Sequence, residues 1–474
     1  MRQIIRLIAR PALALALLAG GATTALAQTA SPAGAAGLQA MIQERLTAAT
    51  RTEPDQFRLE RVPEVEVTAQ GDRYAVTIPK LRVLTASGWL LEAPLVEAEV
   101  IPEAGGGWKV EAEIPQPLSV FSERGFRAGD LTLGQQKLRA RWSADGYLLT
   151  AADVSLGKVA FTPMVGAGAF SLGSFGLKLE PKSISGESWT GLFTLAIANL
   201  SWRDPAGVQR LTVEKLSVKG DAVSLDLTRF AHVARAWRGG LVPDADQMAA
   251  MAGALKLDVD LAGFRDVRDD GRATKLDHAT GKLSLTNMEG DRAGLRLDWR
   301  HAGLDRRGPD ANQALTPTSA DISLAGERMP GQPLLAMIAL YAATEDEVAR
   351  KAAWNRLSDA MARAGSQLSI PRMELQNATS AASGTGDFRF GPQSPRGVTG
   401  QADITMRGID RLIAAVNAAG GAKATGTAIA LYAIQGLGQP ADGGTHRYEM
   451  RLMPDGRLLL NGADMASVAG MIGR

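Results

Sequence analysis

The sequence predicts a mainly β (α+β) fold: a long antiparallel, meandering sheet, curled into a gutter or half-barrel, with helices inserted between strands. Three observations predict it. Apolar residues recur at every second position, as in Tyr74/Val76/Ile78, Trp108/Val110/Ala112/Ile114, Leu255/Leu257/Val259/Leu261 and Leu295/Leu297/Trp299. A period of two sets these side chains on one strand face and the intervening Glu, Lys, Arg and Asp on the other. Turn chemistry then bounds the segments, at Gly71-Asp72, Ser87-Gly88, Asp145-Gly146, Asp204-Pro205 and Gly220-Asp221. No crossover helices separate most of them, which means antiparallel pairing rather than a parallel α/β sheet. On the order of 20 alternating segments at ~4.8 Å each would extend roughly 90 Å, too long to close as one small barrel.

Taken in order, residues 1–27 read as a signal peptide. Arg2, Arg6 and Arg10 form a basic start, Ala12 to Gly21 an apolar stretch, and Ala25-Leu26-Ala27 a small-x-small cleavage site before Gln28. The alternative, a retained anchor, needs ~20 apolar residues, more than Ala12 to Ala27 supplies. Residues 28–56 follow as a leader and short helix. Gln28–Gly37 is rich in Ala, Gly, Ser and Pro and reads as flexible. Leu38, Met41, Ile42 and Leu46 then keep helical spacing over Gly37–Arg51. Residues 57–330 form the extended β region, broken near 230–253 by two short helical patterns, one through Phe230, Val233 and Trp237 and one from Asp244 to Met251. Arg265–Asp270 reads as a hairpin tip and Arg306–Pro317 as a polar loop.

Residues 331–367 predict a helical hairpin. Leu334, Leu335, Met337, Ile338, Leu340 and Tyr341 mark its first helix; Thr344-x-x-Glu347 opens the second as a capping box, and Gly365 stops it. Residues 368–474 continue the β body, with helices over Asp410–Ala419 and Ala424–Gln435 and a last hairpin turning at Pro454-Asp455-Gly456. Two strands run directly into helices, through Ala325-Gly326 and Arg407-Gly408, which hints at a duplicated strand–helix unit.

Composition narrows function by exclusion. With 52 basic against 50 acidic residues the net charge is +2, and aromatic content is 5%. Neither suits nucleic acid, which needs clustered cations and stacking rings. The chain has no cysteine, so thiolate nucleophiles, cysteine zinc sites and iron–sulfur clusters are excluded, as is a lipid-modified N-terminus. A mature chain of about 447 residues is held by burial alone, which large chains manage. An export signal on a cysteine-free chain points to the periplasm of a Gram-negative bacterium. No further stretch predicts a transmembrane helix in the mature chain.

The search for chemistry returns structural readings. His232, His278, His301 and His446 are isolated, without a metal-ligand spacing. Ser171 lacks the first glycine of a nucleophile elbow. Gly157-Lys158 continues to Val159 rather than to Ser or Thr, and Gly166-Ala167-Gly168 lacks the final glycine of a dinucleotide loop. The pairs Glu64/Glu66, Glu97/Glu99, Glu111/Glu113 and Asp258/Asp260 suggest glycoside chemistry in isolation. Their period-two placement opposite apolar residues instead makes them a solvated sheet face. Asp269-Asp270-Gly271 and Asp455-Gly456 are turns rather than calcium loops. Catalytic, cofactor-binding and metal residues are therefore expected to be none, and no cofactor is implied.

The export signal, the strand-rich body, the helical hairpin and the ending Tyr448-Glu-Met-Arg-Leu-Met-Pro-Asp-Gly-Arg-Leu-Leu-Leu-Asn-Gly462 together resemble a bacterial envelope family, domain of unknown function 2125. The closing strand, Asp-Gly turn and strand ending in Asn-Gly is similar to one in a second envelope family, number 945. The architecture resembles AsmA-like β-gutter proteins, which usually carry a membrane anchor where this chain has a cleavable signal. The resemblance covers Phe57 to Asp464 and brings no active site, so no functional residue is carried over. It implies a non-enzymatic envelope role. The expectation is an exported protein that binds lipid or another apolar ligand on its sheet. The alternatives are a scaffold that binds an envelope partner, and a hydrolase whose site the sequence does not reveal. Oligomeric state is left open.

Overall fold

The computed structural model describes residues 30–50 and 58–465, except 86–87, 105, 144–148, 165–167, 187, 231, 234–247, 249–250, 289–291, 309–314, 344–345 and 420–421. The predicted signal peptide, the Asp145-Gly146 turn, Gly166-Ala167, and the segments around Trp237 and Asp244 lie outside the described residues. The expected class is observed: a mainly β, antiparallel meander with a few inserted helices, 23 strands among the described residues. The chain divides into two compact units, Met1–Asp221 and Ala222–Arg474.

The first unit opens with helix α1 (Pro32–Thr50). It starts earlier than the expected Gly37, so much of the supposed flexible leader is helical. The cause is local. Pro32 has its φ preset for a first turn, and Ser31 Oγ accepts from Gly34 N at 3.1 Å, giving a normal N-cap. Leu38, Met41, Ile42 and Leu46 are buried, and the helix packs on β1 (Arg58–Leu59) and β2 (Glu66–Gln70).

Then follow β3 (Arg73–Leu84), β4 (Leu90–Pro102), β5 (Trp108–Glu113), β6 (Leu118–Phe121), β7 (Arg127–Trp142), β8 (Leu149–Pro163), β9 (Ala169–Ser185) and β10 (Ser188–Arg203). β1 and β2 share one lane beside β3, and β5 and β6 share the lane between β4 and β7. β8, β9 and β10 add in sequence order. Among the described ladders none joins the outermost lanes, so the unit is not a closed barrel.

Strands this long carry a fault in their alternation, and the fault crosses the unit in one line. Lys80 of β3 and Pro94 of β4 are skipped between the pairs Pro79↔Leu95 and Leu81↔Ala93. Gly134 of β7 and Lys158 of β8 are skipped between Leu133↔Val159 and Gln135↔Gly157. Lys158 again faces Gly173 of β9, and Gly173 faces Asn199 of β10. Lys80, Lys158 and Asn199 are left-handed, with φ of 51°, 52° and 53°. Where the lane of β5 and β6 is interrupted on this line, side chains replace the ladder. Gln136 Nε2 donates to Ile114 O and its Oε1 accepts from Ile114 N, both at 2.8 Å.

The fault resets which face is buried. Buried residues that otherwise alternate are three apart across it: Ile78/Leu81, Ala93/Val96, Leu156/Val159, Leu172/Phe175 and Ile197/Leu200. One extra residue per strand, at the same transverse line, returns every far segment to the core side. A non-glycine left-handed residue costs roughly 1–2 kcal/mol. Burying one Leu or Phe contributes ~1.5–3 kcal/mol, and on β9 alone Leu172 and Phe170, 1% and 8% exposed, lie beyond the line. Burial wins. The side chain of the left-handed residue leans toward its neighbour, which is why Gly134 and Gly173 stand there. A Cβ on Gly134 would lie 2.8 Å from Lys158 Cβ, and one on Gly173 3.0 Å from Asn199 Cβ.

β11 (Gln209–Asp226) carries the chain onward, and residues 227–230 are helical. The second unit contains β12 (Ala254–Val267), β13 (Ala273–Thr286), β14 (Ala293–Ala302), β15 (Asp305–Arg307), β16 (Ser319–Met329), β17 (Gln367–Gln376), β18 (Ala381–Phe390) and β19 (Val398–Arg407). It ends with β20 (Gln439–Ala441), β21 (Thr445–Leu452), β22 (Leu458–Leu460) and β23 (Ala463–Asp464). β12, β13, β14, β16, β17, β18, β19 and β21 are consecutive antiparallel neighbours. Two expected loops are shorter than the sequence implies. β12 runs on to Val267, leaving the tip at Arg268–Arg272, and Arg306–Arg307 belong to β15, paired with Ala273–Lys275.

Helices α2 (Gly331–Ala343) and α3 (Glu347–Ala364) link β16 to β17; α4 (Ile409–Ala419) and α5 (Ala422–Leu437) lie between β19 and the β20–β21 hairpin. Both pairs are helical hairpins; the first returns into β17, the antiparallel neighbour of β16, and the second into β20, which pairs with β21, the neighbour of β19. Gly408 (φ 75°) does mark the junction of β19 and α4. Gly326 does not: it lies inside β16, where a Cβ would meet Met329 Cγ at 3.0 Å. The N-cap of α3 is Asp346, whose carboxylate accepts from Val348 N and Ala349 N, rather than the expected Thr344. A carboxylate at the helix start caps with charge as well as hydrogen bonds. Gly365, left-handed at φ 62°, ends the helix as predicted, with Ser366 N bonded to Met361 O at 3.0 Å.

The Gly134–Lys158 contact gives a test. Gly134→Ala should lower stability in urea by about 1–3 kcal/mol, and by clearly less in a Lys158→Gly background, where the opposing Cβ is gone. Equal costs in both backgrounds would show that the contact does not set the glycine.

Candidate functional site

The side chains that resembled chemistry are brought into cross-strand charge ladders. Glu97 lies opposite Glu113 and Glu99 opposite Glu111, arrangements that repel. Arg73 answers Glu99 at 2.7 Å, and Lys109 and Arg139 answer Glu111 at 2.9 and 3.3 Å. The Lys109 hydrogen bond holds the Glu111 carboxyl below its ordinary range. Asp258 lies opposite Lys282, and Asp260 accepts from His278 at 3.0 Å. Glu64 and Glu66 are exposed. Asp270 and Asp455 cap their own turns, accepting from Arg272 N and Arg457 N, each at 3.0 Å. Ser171 is exposed on β9 opposite Ala160, and Lys158 is the left-handed residue of the fault. His301 is engaged by Trp299 Nε1, which donates to its Nδ1 at 3.0 Å, and by Pro317 O at 3.3 Å. His232 is exposed. Among the described residues no three His, Asp or Glu side chains gather as a metal site.

The opposite, apolar faces of the two units differ in how well they are covered. In the first unit the row Val76–Ala98–Ala112–Leu138–Val154 follows the register from β3 to β8. All but Ala112 are buried, Val76 and Leu138 to 2% exposure. Continued onto β9 and β10 the row reads Leu177–Leu195, both half-buried, so the face is fully covered only as far as β8.

In the second unit an equivalent row runs through eight strands: Val259–Gly281–Trp299–Ile322–Met373–Gly384–Ile404–Tyr448. A parallel row begins Leu257–Leu283–Leu297–Leu324. Of all these large side chains only Tyr448 is buried; the others are half-buried. The glycines make room for the large members beside them. A Cβ on Gly281 would lie 3.2 Å from Trp299 Cε3, and one on Gly384 3.3 Å from Ile404 Cγ1. The result is a level, contiguous apolar surface, of the kind that marks a binding site when it is not buried.

The helical hairpins cover only the margins of that surface. Leu334, Leu357 and Met361 of α2 and α3 pack with Ala293 and Met329, and against Leu295 and Phe390. Leu412 and Val416 of α4 pack mainly with Ala428 and Leu431 of α5. At the β21 side the Tyr448 hydroxyl and His446 Nδ1 are buried without a hydrogen-bond partner among the described residues, and burial raises the Tyr448 pKa. Near the β16–β18 end, a cleft of about 310 Å³ is lined by Arg328, Gln367, Arg389, Gln393, Ser394 and Thr399. Its Arg328 guanidinium lies at the α3 C-terminus, 4.0 Å from where a Gly365 Cβ would be. The negative end of the helix dipole accounts for a cation there.

Sequence reasoning identified the alternating strands of this surface but not which side chains stay uncovered. The period-two glycines of β18, Gly384 and Gly386 ahead of Phe388, were the available signal for a strand with little side-chain bulk of its own.

Searches with the sequence and the fold find no matching family model, no similar curated protein and no similar solved structure.

The polar side of the same strands supplies a pH test. Ser323 Oγ donates to Asp298 Oδ1 at 2.7 Å. That bond, then Arg296, hold the Asp298 carboxyl below its ordinary range. A lowered folded-state pKa stabilises above the unfolded value of about 4 and is lost as pH falls through the folded value. Ser323→Ala should therefore cost roughly 1 kcal/mol at neutral pH and shrink the loss of stability between neutral and acid pH. Parallel acid titration curves for the two chains would count against this assignment.

Proposed function

We propose that this protein is a non-enzymatic, exported envelope protein that binds an apolar ligand, an acyl chain or lipid, against the apolar face of its second unit. The observation that supports this most directly is the contrast in burial between the two units. From β3 to β8 of the first unit the alternation yields a buried row, whereas in the second unit every large side chain but Tyr448 along an eight-strand row is only half-buried. An acyl chain matches such a face because it needs contact area and no hydrogen-bond partners. Glu99 and Glu111 are paired with cations and His301 is hydrogen-bonded, so these residues lend the hydrolase reading no support. The predicted signal peptide would place the protein where envelope lipids are handled, consistent with the resemblance to envelope families. An envelope protein docked on the same surface is the competing occupant.

The test is extraction and mass spectrometry of lipid from the purified chain, followed by titration with a fluorescent fatty acid. Co-purifying lipid and saturable probe binding are expected. Leu297→Gln and Ile322→Gln, central on the face and half-buried, should each weaken probe binding about fivefold or more, for the loss of about 1 kcal/mol of apolar contact. Arg372→Gln, on the charged side, should bind as the parent does. A chain that carries no lipid and takes up no probe would rule the proposal out.

A further inference from the structure

At its β21 end the apolar face of the second unit carries two polar atoms that nothing among the described residues satisfies. Tyr448 is 2% exposed, and its hydroxyl is buried without a hydrogen-bond partner. His446 stands two residues earlier, on the same side of the strand, and its Nδ1 is buried and unpaired as well. The two share one spot. A Cβ on Gly438, in the link from α5 to β20, would lie 2.7 Å from the Tyr448 hydroxyl and 2.9 Å from His446 Cβ. Neighbouring polar groups show the ordinary case. Asn461 Nδ2 donates to Leu437 O at 2.7 Å and to Arg447 O at 3.0 Å, and its Oδ1 accepts from Glu449 N at 2.7 Å. Elsewhere on the face His301 accepts from Trp299 Nε1. An unpaired buried hydroxyl or ring nitrogen is destabilising, and the great majority of such atoms in folded proteins have a partner. These two stand where a ligand lying along the row from Val259 to Tyr448 would end.

We infer that Tyr448 and His446 receive the polar head of the apolar ligand, and that this head is a neutral hydroxyl. The inference rests on the apolar-ligand reading of the sheet and names its class: a long-chain alcohol, or an acylglycerol with a free hydroxyl. A hydroxyl both donates and accepts, so one group satisfies both atoms. Its oxygen accepts from the phenol, and its hydrogen goes to Nδ1 of a neutral imidazole. Burial raises the Tyr448 pKa, which keeps the phenol a donor. An anionic head fits worse. The side chains that share this face on β19, β20 and β21 include Ile404, Met406, Pro440 and Met450 and no Lys or Arg; Arg447 and Arg451 belong to the opposite face. A carboxylate would be buried there without a counter-ion. The cover over both atoms is the Gly438 link. β20, which follows it, is an edge lane of three exposed residues, a segment of the kind that opens locally at low cost, and its displacement admits the head.

The test is displacement of the fluorescent fatty acid from the full chain by dodecanol and by dodecane, which share one chain and differ in the hydroxyl. Dodecanol should bind about fivefold more tightly than dodecane or better, the effect of one or two neutral hydrogen bonds. Tyr448→Phe should abolish that preference and leave dodecane unchanged, and His446→Leu should reduce it. Leu297→Gln, central on the face, should weaken both competitors alike. Without ligand, Tyr448→Phe should melt no lower than the parent, because its hydroxyl has no partner to lose. A preference that survives Tyr448→Phe would overturn the inference; if that variant also melts lower, the spot holds an ordered water only. Equal displacement by the two competitors in the parent would overturn it as well, while leaving the apolar-ligand proposal standing. Displacement by neither would remove both.

Discussion

Register is the constraint on which the structure depends. With side chains alternating between faces, a slip of one residue would move a whole apolar set into solvent. Strands of 15 to 18 residues, such as β8 and β11, multiply that penalty. The first unit meets it with a shared fault, Lys80, Lys158 and Asn199 left-handed and Pro94, Gly134 and Gly173 opposite them. One strand could not carry such a fault alone, because its neighbours would then pair polar against apolar beyond the line. The same device recurs in the second unit. Gly263 of β12, at φ 59°, and Asp277 of β13 are skipped between Ala262↔His278 and Phe264↔Leu276.

A consistent register makes a continuous apolar face, and what covers that face decides its role. In the first unit α1 seals the β1 and β2 lane, and the row from Val76 to Val154 is buried but for Ala112. In the second unit the helices are inserted as hairpins between neighbouring strands, so each emerges at a strand end. The α2–α3 hairpin packs there, on Leu295, Met329 and Phe390, and the middle rows stay only half-buried.

The charged side has the complementary logic. Antiparallel pairing sets side chains directly opposite one another, so a strand of alternating carboxylates becomes a ladder that must be answered by Lys and Arg across or along the strands. Arg300 and Arg372 both reach Asp321, at 2.9 and 2.8 Å, and Arg447 reaches Asp403 at 3.1 Å. Such half-exposed pairs contribute little stability each. Their consequence is to tie carboxylates such as Glu99, Glu111 and Asp321 to cations along the ladder.

The sequence by itself determined the fold class, the antiparallel pairing, the positions of the helical hairpins and the stop at Gly365, because period, turn chemistry and capping are local and each residue carries its own share of the signal. The same locality made some boundaries wrong. Pro32 and Ser31 start a helix inside an Ala/Gly-rich leader, and the cap of α3 is Asp346, two residues later than the capping box implied. The three-residue steps Leu156/Val159 and Leu172/Phe175 were present in the chain, yet only the register shows that they fall on one line. Tertiary structure alone decided that Trp299, Ile322 and Met373 stay half-exposed while Val76 and Leu138 do not. Coverage is a relation between distant segments, and nothing in the alternation of a single strand records what lies above it.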